Sequence, residues 1–318
     1  MWGRAGGSSF SRPLSHRCRG QLYGRLWAVL PLCFSHRSLY KHHVLRIHPI
    51  TGLDLPALVP YRTLRYATAH ASAGIFVAEG PAVVARLMCS PLTIKSLLVT
   101  ERWYAELAPS LDLRSESIDV FVVANDALLT EIVGSEMFNG VLAVAAIPPA
   151  PRWDDVFAKT RSPRLWVALD GLSQAENVGG IARSAAAFGA DALLIGETCS
   201  PPWVRRTVRA SMGTLLDLTV VPSKNLASDL HRLQEAGLTC IVADSHGSVP
   251  LTELSLTGDV CLIFGSEGVG VRPEVKEACS CIASIAMAPG IDSLNVAAAA
   301  AVFLHETARQ RHPAGIER

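Results

Sequence analysis

Short apolar runs alternate with helix-forming stretches along the second half of the chain. Leu165–Leu169, Ala192–Ile195, Leu218–Val221, Thr239–Ala243, Val260–Phe264 and Ile282–Met287 read as strands. Helices are expected near 178–188, 203–210, 225–236, 273–279 and 294–310. This order predicts an α/β unit with a mostly parallel sheet covered by helices on both faces. Its ligand-binding loops should then follow the carboxyl ends of the strands, at Asp170, Asp244, Gly265 and from Met287 onward. A smaller α/β unit precedes it. Strands are expected at Ile75–Ala78, Ile94–Thr100, Val120–Ala124 and Gly140–Ile147, with helices at Ala82–Cys89 and Asp126–Val133 and a helical turn at Trp103–Leu107. Pro148, Pro149, Pro151 and a basic run to Pro163 mark a linker between the two. The expected boundaries are 1–55 for a disordered or leader segment, 56–147 for the small domain, 148–163 for the linker and 164–312 for the large domain.

Composition changes the picture mainly at the start. The chain has 318 residues, enough for two domains, with a high apolar fraction and a net charge near zero. No Asp or Glu precedes Asp54, whereas the first 47 residues hold eight Lys or Arg. Removing those eight from the 29 basic residues leaves 21 against 28 acidic ones, so the body carries about −7. A nucleic acid would therefore meet a local basic patch rather than a basic protein. The apolar run Leu26–Phe34 is shorter than the ~20 residues needed to cross a bilayer, so no membrane partner is expected. An acid-free, Arg- and Ser-rich start suits organelle import or a plain tail, giving a cytoplasmic location with a mitochondrial alternative. The eight cysteines form no CxxC pair and sit mostly in apolar runs, so they read as reduced core thiols and no metal site is expected.

The chemistry concentrates in Asp170–Gly189, DGLSQAENVGGIARSAAAFG, where a strand ends and a helix opens. Asn177 suits the helix N-cap, and Gly179 and Gly180 permit close approach by another backbone or a ligand. Arg183 lies six residues beyond Asn177. A dinucleotide fold would place GxGxxG straight after the strand, and a serine hydrolase would need GxSxG. Neither pattern is present here. Asp244-Ser245-His246 cannot make a catalytic triad from adjacent residues.

Three motifs stand in order on successive strand–loop–helix units. They are Asn177-x-Gly-Gly-x-x-Arg183, Phe264-Gly-Ser-Glu-Gly-x-Gly270 and Ser293-Leu-Asn-Val296, with Arg209-Ala-Ser-Met-Gly213 between the first two. Together they resemble the SpoU/TrmH family of RNA ribose 2′-O-methyltransferases. The resemblance covers Leu165 to about Arg309. It extends more weakly over 62–147, where Ala78–Pro81 and Gly140–Val144 are similar to that family's RNA substrate-binding domain. It implies a trefoil-knotted α/β fold, S-adenosylmethionine as methyl donor without a metal, and an RNA substrate, with rRNA favoured over tRNA. It assigns Asn177, Arg183, Glu267, Ser293 and Asn295 to the chemistry, and Gly265, Ile285, Leu294 and, less directly, Asp244 to the donor. Arg205, Arg206 and Arg209 are expected to contact RNA phosphates, and the C-terminal helix to form a homodimer. Ala286 replaces a proline common in the third motif, and Asn139 a glutamine common in the small domain. An inactive RNA-binding protein on this fold and a nucleotide-cofactor oxidoreductase are the alternatives.

Overall fold

The computed structural model describes residues 45–312 apart from 53, 125 and 134–139. The leader expectation for residues 1–44 and the departure at Asn139 lie outside the described residues.

The small domain starts earlier than the sequence suggested. Leu45–Ile50, expected to belong to a leader, is strand β1, paired parallel with β4 (Ile118–Val123). It reads poorly because it is a half-exposed edge strand with Pro49, and an edge is where a sheet tolerates proline. Short helices α1 (Val59–Arg62) and α2 (Ala67–Ser72) lead to β2 (Ile75–Glu79), α3 (Pro81–Cys89), β3 (Ile94–Thr100) and α4 (Glu101–Leu111). After β4 come α5 (Asp126–Val133) and β5 (Val141–Ala146). The sheet order is β1-β4-β3-β5-β2, and β5 runs against both neighbours. Leu58, Tyr61, Val77, Leu98, Phe121 and Leu142 are among the buried residues on one face.

The expected linker is not irregular throughout. Trp153–Lys159 forms helix α6, because Trp153, Val156 and Phe157 share one apolar face despite the surrounding prolines. Trp153 stacks on Trp166 of the large sheet with ring centroids 5.1 Å apart.

Five of the strands expected in the large domain are found within one residue of their bounds, whereas the one expected over Ile282–Met287 spans Cys281–Ser284, so its loop opens at Ile285 rather than at Met287. The domain runs β6 (Leu165–Leu169), α7 (Ala175–Ala187), β7 (Ala192–Ile195), α8 (Arg205–Ala210), β8 (Thr219–Pro222), α9 (Leu226–Glu235) and β9 (Thr239–Ala243). Then follow a two-residue β10 (Val249–Pro250), β11 (Val260–Phe264), α10 (Pro273–Glu277), β12 (Cys281–Ser284) and α11 (Val296–Arg311). All pairs in the order β10-β12-β9-β11-β6-β7-β8 are parallel. One face buries Trp166, Leu194, Val242 and Ile263 against Leu230 and Leu233 of α9 and Val275 of α10. On the other, Phe264 meets Phe303 of α11 edge-on at 5.8 Å.

The strand order sets the site. From β6 the chain first moves outward through β7 and β8, then crosses to β9 and inserts β11 beside β6. Two neighbouring strands whose connections leave in opposite directions open a crevice at their carboxyl ends. Asp170 N–H still bonds the Phe264 carbonyl at 2.9 Å, so the two chains separate immediately beyond that point.

Candidate active site

Three loops meet at this crevice. The β6–α7 turn supplies Asn177, the β11–α10 loop Glu267, and the segment after β12 Asn295. Asn295 Nδ2 donates to Glu267 Oε1 at 2.7 Å and to Asn177 Oδ1 at 3.1 Å. Asn177 Nδ2 donates to Glu267 Oε1 at 3.1 Å and to Gln174 Oε1 at 3.3 Å. An ionised carboxylate only accepts, so both asparagines must turn their amide nitrogens toward Glu267. Residues 118 positions apart are thereby held in one triangle.

Asn177 was expected as a helix cap, but the helix begins two residues earlier, with Gln174 at the cap position. Asn177 therefore lies inside the first turn, is 8 % exposed, and uses its side chain on the other loops. The capping is done by Asn295, whose Oδ1 accepts from Ala297 and Ala298 N–H at 3.0 and 3.3 Å. One residue thus starts α11 and ties the other two loops together.

The paired glycines allow close helix packing. A Cβ on Gly179 would lie 2.5 Å from the Thr207 carbonyl of α8, and one on Gly180 3.0 Å from Ala297 of α11. Helix α7 is thus clasped between α8 and α11, and Arg183 projects from it exposed to solvent, with no ion pair or hydrogen bond to the described residues. Ser293 is also exposed, at the approach to α11.

The expected donor-binding positions line the same edge. At Gly265 an added Cβ would fall 2.3 Å from the Gly270 carbonyl carbon and the Val271 nitrogen, so only glycine lets this loop double back, where Ser266 and Gly270 exchange backbone bonds of 3.1 and 2.9 Å. Asp244 follows β9. Burial would raise its carboxyl, but the Lys276 ammonium at 2.6 Å and the His246 N–H at 2.9 Å hold it below its usual value. Ile285 is half-buried and Leu294 is 40 % exposed. Between positions 285 and 294 the backbone bonding among the described residues is one hydrogen bond, from Ile291 N–H to the Ala288 carbonyl at 3.3 Å. Glycine and apolar side chains suit a nucleoside-bearing donor. Among the described residues no cluster of His, Cys, Asp and Glu could hold a metal.

Some supporting residues escaped the sequence reading. Asp170 is fully buried and accepts from the backbone N–H and Nε of Arg272, each at 2.8 Å. Arg272 Nη2 reaches Glu197 Oε1 at 2.7 Å, and Glu197 in turn accepts from Leu226 N–H at 3.0 Å. This chain fixes the far end of the Glu267 loop. Asp170 reads in the sequence as the end of an apolar strand, but its pairing does not, because the partner lies 102 positions away.

The basic helix departs from expectation. Arg205, read as a phosphate contact, instead pairs with buried Glu79 of the small domain, and Arg209 donates to the same carboxylate at 2.9 Å. Arg206 is 70 % exposed and lies 3.5 Å from Glu176. Same-face spacing on a helix identifies neighbours, not what the face meets. His246 is 90 % exposed on its loop beside Ser245, a solvated histidine.

Comparison with known proteins agrees with this geometry. The sequence profile of the SpoU rRNA methylase family matches residues 164–305. An uncharacterized tRNA/rRNA methyltransferase of Mycobacterium tuberculosis is 30% identical over 279 residues, 85% of this chain and 95% of that protein. The chain belongs to the SpoU rRNA methylase family. It is an RNA methyltransferase of that family. A 23S rRNA (guanosine-2′-O-)-methyltransferase of Vibrio vulnificus is 31% identical over 173 residues, 53% of this chain and 70% of that one. The SpoU methyltransferase AviRb from Streptomyces viridochromogenes, solved with AdoMet, superposes with a TM-score of 0.70 at 26% identity, covering 82% of this chain and 100% of that one. An AdoMet-bound rRNA methyltransferase from Sinorhizobium meliloti gives 0.70 at 25% identity, covering 83% and 98%.

Proposed function

We propose that the chain transfers a methyl group from S-adenosylmethionine to a ribose 2′-hydroxyl of ribosomal RNA. The observation that carries this reading is the Asn177–Glu267–Asn295 triangle, with exposed Arg183, which pairs with none of the described residues, on the same helix as Asn177. The donor supplies a methyl group on a positively charged sulfur with a neutral leaving group, so no metal is required. What remains for the protein is to align the hydroxyl and assist loss of its proton. The planar Arg183 guanidinium, with five N–H donors and no acceptor, suits a bidentate clamp on the adjacent phosphate better than a base. In this reading it orients the ribose, and the proton leaves with help from that phosphate. Glu267 orders the loops through the two asparagines, and Gly265, Ile285 and Leu294 cradle the donor. The relative that methylates 23S rRNA and the AdoMet-bound neighbours support the choice of donor and substrate.

The reading includes a homodimer through α11. Ala298, Val302, His305 and Arg309 form an exposed stripe along it, and Val302 is 40 % exposed. A trefoil knot suits the chain path, which leaves β12 beyond β9 and returns to lay α11 on α7. Three measurements test the whole. Titration of the purified chain with S-adenosylmethionine should show saturable binding, and ribose-methylation maps of total RNA with and without the gene should differ at a site in rRNA. A difference confined to tRNA would remove the rRNA preference, and no binding by folded protein would remove the reading. Sedimentation at micromolar concentration should give twice the chain mass, and a single-chain mass would exclude the dimer.

A further inference from the structure

Glu79 closes β2, a strand buried along its whole length, and is itself 6 % exposed. A buried carboxylate is costly unless paired, and the partners seen here come from the other domain. Arg205 Nη1 bonds one of its oxygens, and Arg209 Nη1 bonds the other at 2.9 Å. Both arginines stand on α8, one turn apart. Contacts around this pair leave little slack. Phe76 of β2 packs on Trp203 with centroids 5.3 Å apart, and Arg86 of α3 pairs with Asp217 at 2.9 Å. A Cβ on Gly213 would lie 2.9 Å from Arg86 Cδ and 3.3 Å from Val83 Cα, so the two domains touch backbone to backbone. The opposite side of α8 lies against Gly179 of α7, the helix that carries Asn177 and Arg183.

Resting on the reading above, we infer that Glu79 is a positioning residue that sets the span between the small domain and the reacting centre. The stack β2–α8–α7 transmits the placement of the small sheet to the active-site helix. RNA held by the small domain is thereby offered to Arg183 at one fixed distance, which selects the nucleotide that is methylated. Arg205 and Arg209 act on RNA through this placement rather than by touching phosphate.

The test uses the full chain with Glu79→Gln, Glu79→Asp and Arg209→Met. The probes are S-adenosylmethionine and total rRNA from cells lacking the gene. In Glu79→Gln the Kd for S-adenosylmethionine should stay within about twofold and kcat within about threefold, while KM for RNA rises about tenfold or more. The ribose-methylation map should spread to neighbouring nucleotides. Glu79→Asp, which keeps the charge, should recover part of the KM and most of the map. Unchanged KM and map in Glu79→Gln would overturn the inference, as would a parallel loss of donor binding. If that variant fails to fold, Arg209→Met, which leaves Glu79 its Arg205 partner, should move KM and the map in the same direction by a smaller factor, and no movement would overturn the inference. Amide exchange in β2 and α8 should quicken about tenfold in Glu79→Gln, and unchanged exchange would also overturn it. Failure of wild type to bind the donor would instead strike the methyl-transfer reading, leaving the exchange result to judge the domain contact.

Discussion

In the large sheet every strand pair is parallel, whereas in the small sheet β5 opposes both β3 and β2. Parallel strands deliver all their carboxyl ends to one edge, so Asp170, Asp244, Gly265 and Ile285 leave the sheet together. Mixed strands divide theirs between two edges. The contrast extends to charged side chains. Arg114, in the small domain, is 9 % exposed and donates to the Met88, Ser90 and Leu92 carbonyls and to Glu116. Arg183 is exposed and donates to none of the described residues. A guanidinium whose donors are all used holds a fold together, whereas one that meets none of the described residues is left to solvent or, in the reading proposed above, to an RNA phosphate.

Glycines should separate the regions most sharply. Gly265→Ala drives a methyl group into backbone and should cost about 3 kcal/mol, lowering the thermal midpoint and abolishing donor binding in calorimetry. Gly74→Ala meets open space but keeps a left-handed backbone (φ +64°), and should cost only about 1–2 kcal/mol with donor binding intact. The arginines should behave in opposite ways. Arg114→Ala should destabilise by about 3 kcal/mol, read by urea unfolding, without changing the donor Kd. Arg183→Ala should leave stability within about 0.5 kcal/mol while initial rates fall at least ~100-fold. Arg183→Lys near wild-type activity would contradict the need for a bidentate fork. Asn295→Ala combines both effects. It removes the α11 cap at about 1 kcal/mol and the shorter of the two hydrogen bonds to Glu267, so activity should fall more than the stability loss explains.

Smaller effects follow from the titrating groups. Burial opposes ionisation of Asp244, but Lys276 and the His246 N–H outweigh it, so its folded pKa lies below the unfolded one. The contribution of the pair to stability is therefore full above the unfolded value of about 3.9 and is lost as pH falls through the folded value. The stability gap between wild type and Lys276→Met, measured by urea midpoint, should be present at pH 7 and shrink in acid. Burial, followed by the neighbouring Cys240 and Cys281 thiols, pushes Cys279 up to about 12. Alkylation at pH 8 should accordingly be slow at Cys279 in folded protein and become fast in denaturant.

Local pattern alone located most of the framework. Leu165–Leu169, Ala192–Ile195, Thr239–Ala243 and Val260–Phe264 end where their apolar runs end, because a strand buried on both faces has no other way to read. Asn177 was also legible as a polar residue where a helix opens, and Glu267 and Asn295 through the resemblance of their motifs to the family. Their roles were not. Whether Asn177 or Asn295 caps a helix, whether Arg205 meets phosphate or Glu79, and how Asp170 finds Arg272 are questions of pairing across tens of positions. Composition hid β1 and α6 for a related reason: an edge strand and a proline-flanked helix are stabilised by Phe121 and Trp166 of the sheets they pack on, not by their own residues.

The sequence by itself determined the parallel unit, its carboxyl edge and the residues available there, because burial and turn chemistry act over a few neighbouring positions. Only the tertiary structure decided which of those residues meet, since hydrogen bonds and ion pairs form between whatever surfaces the strand order brings together.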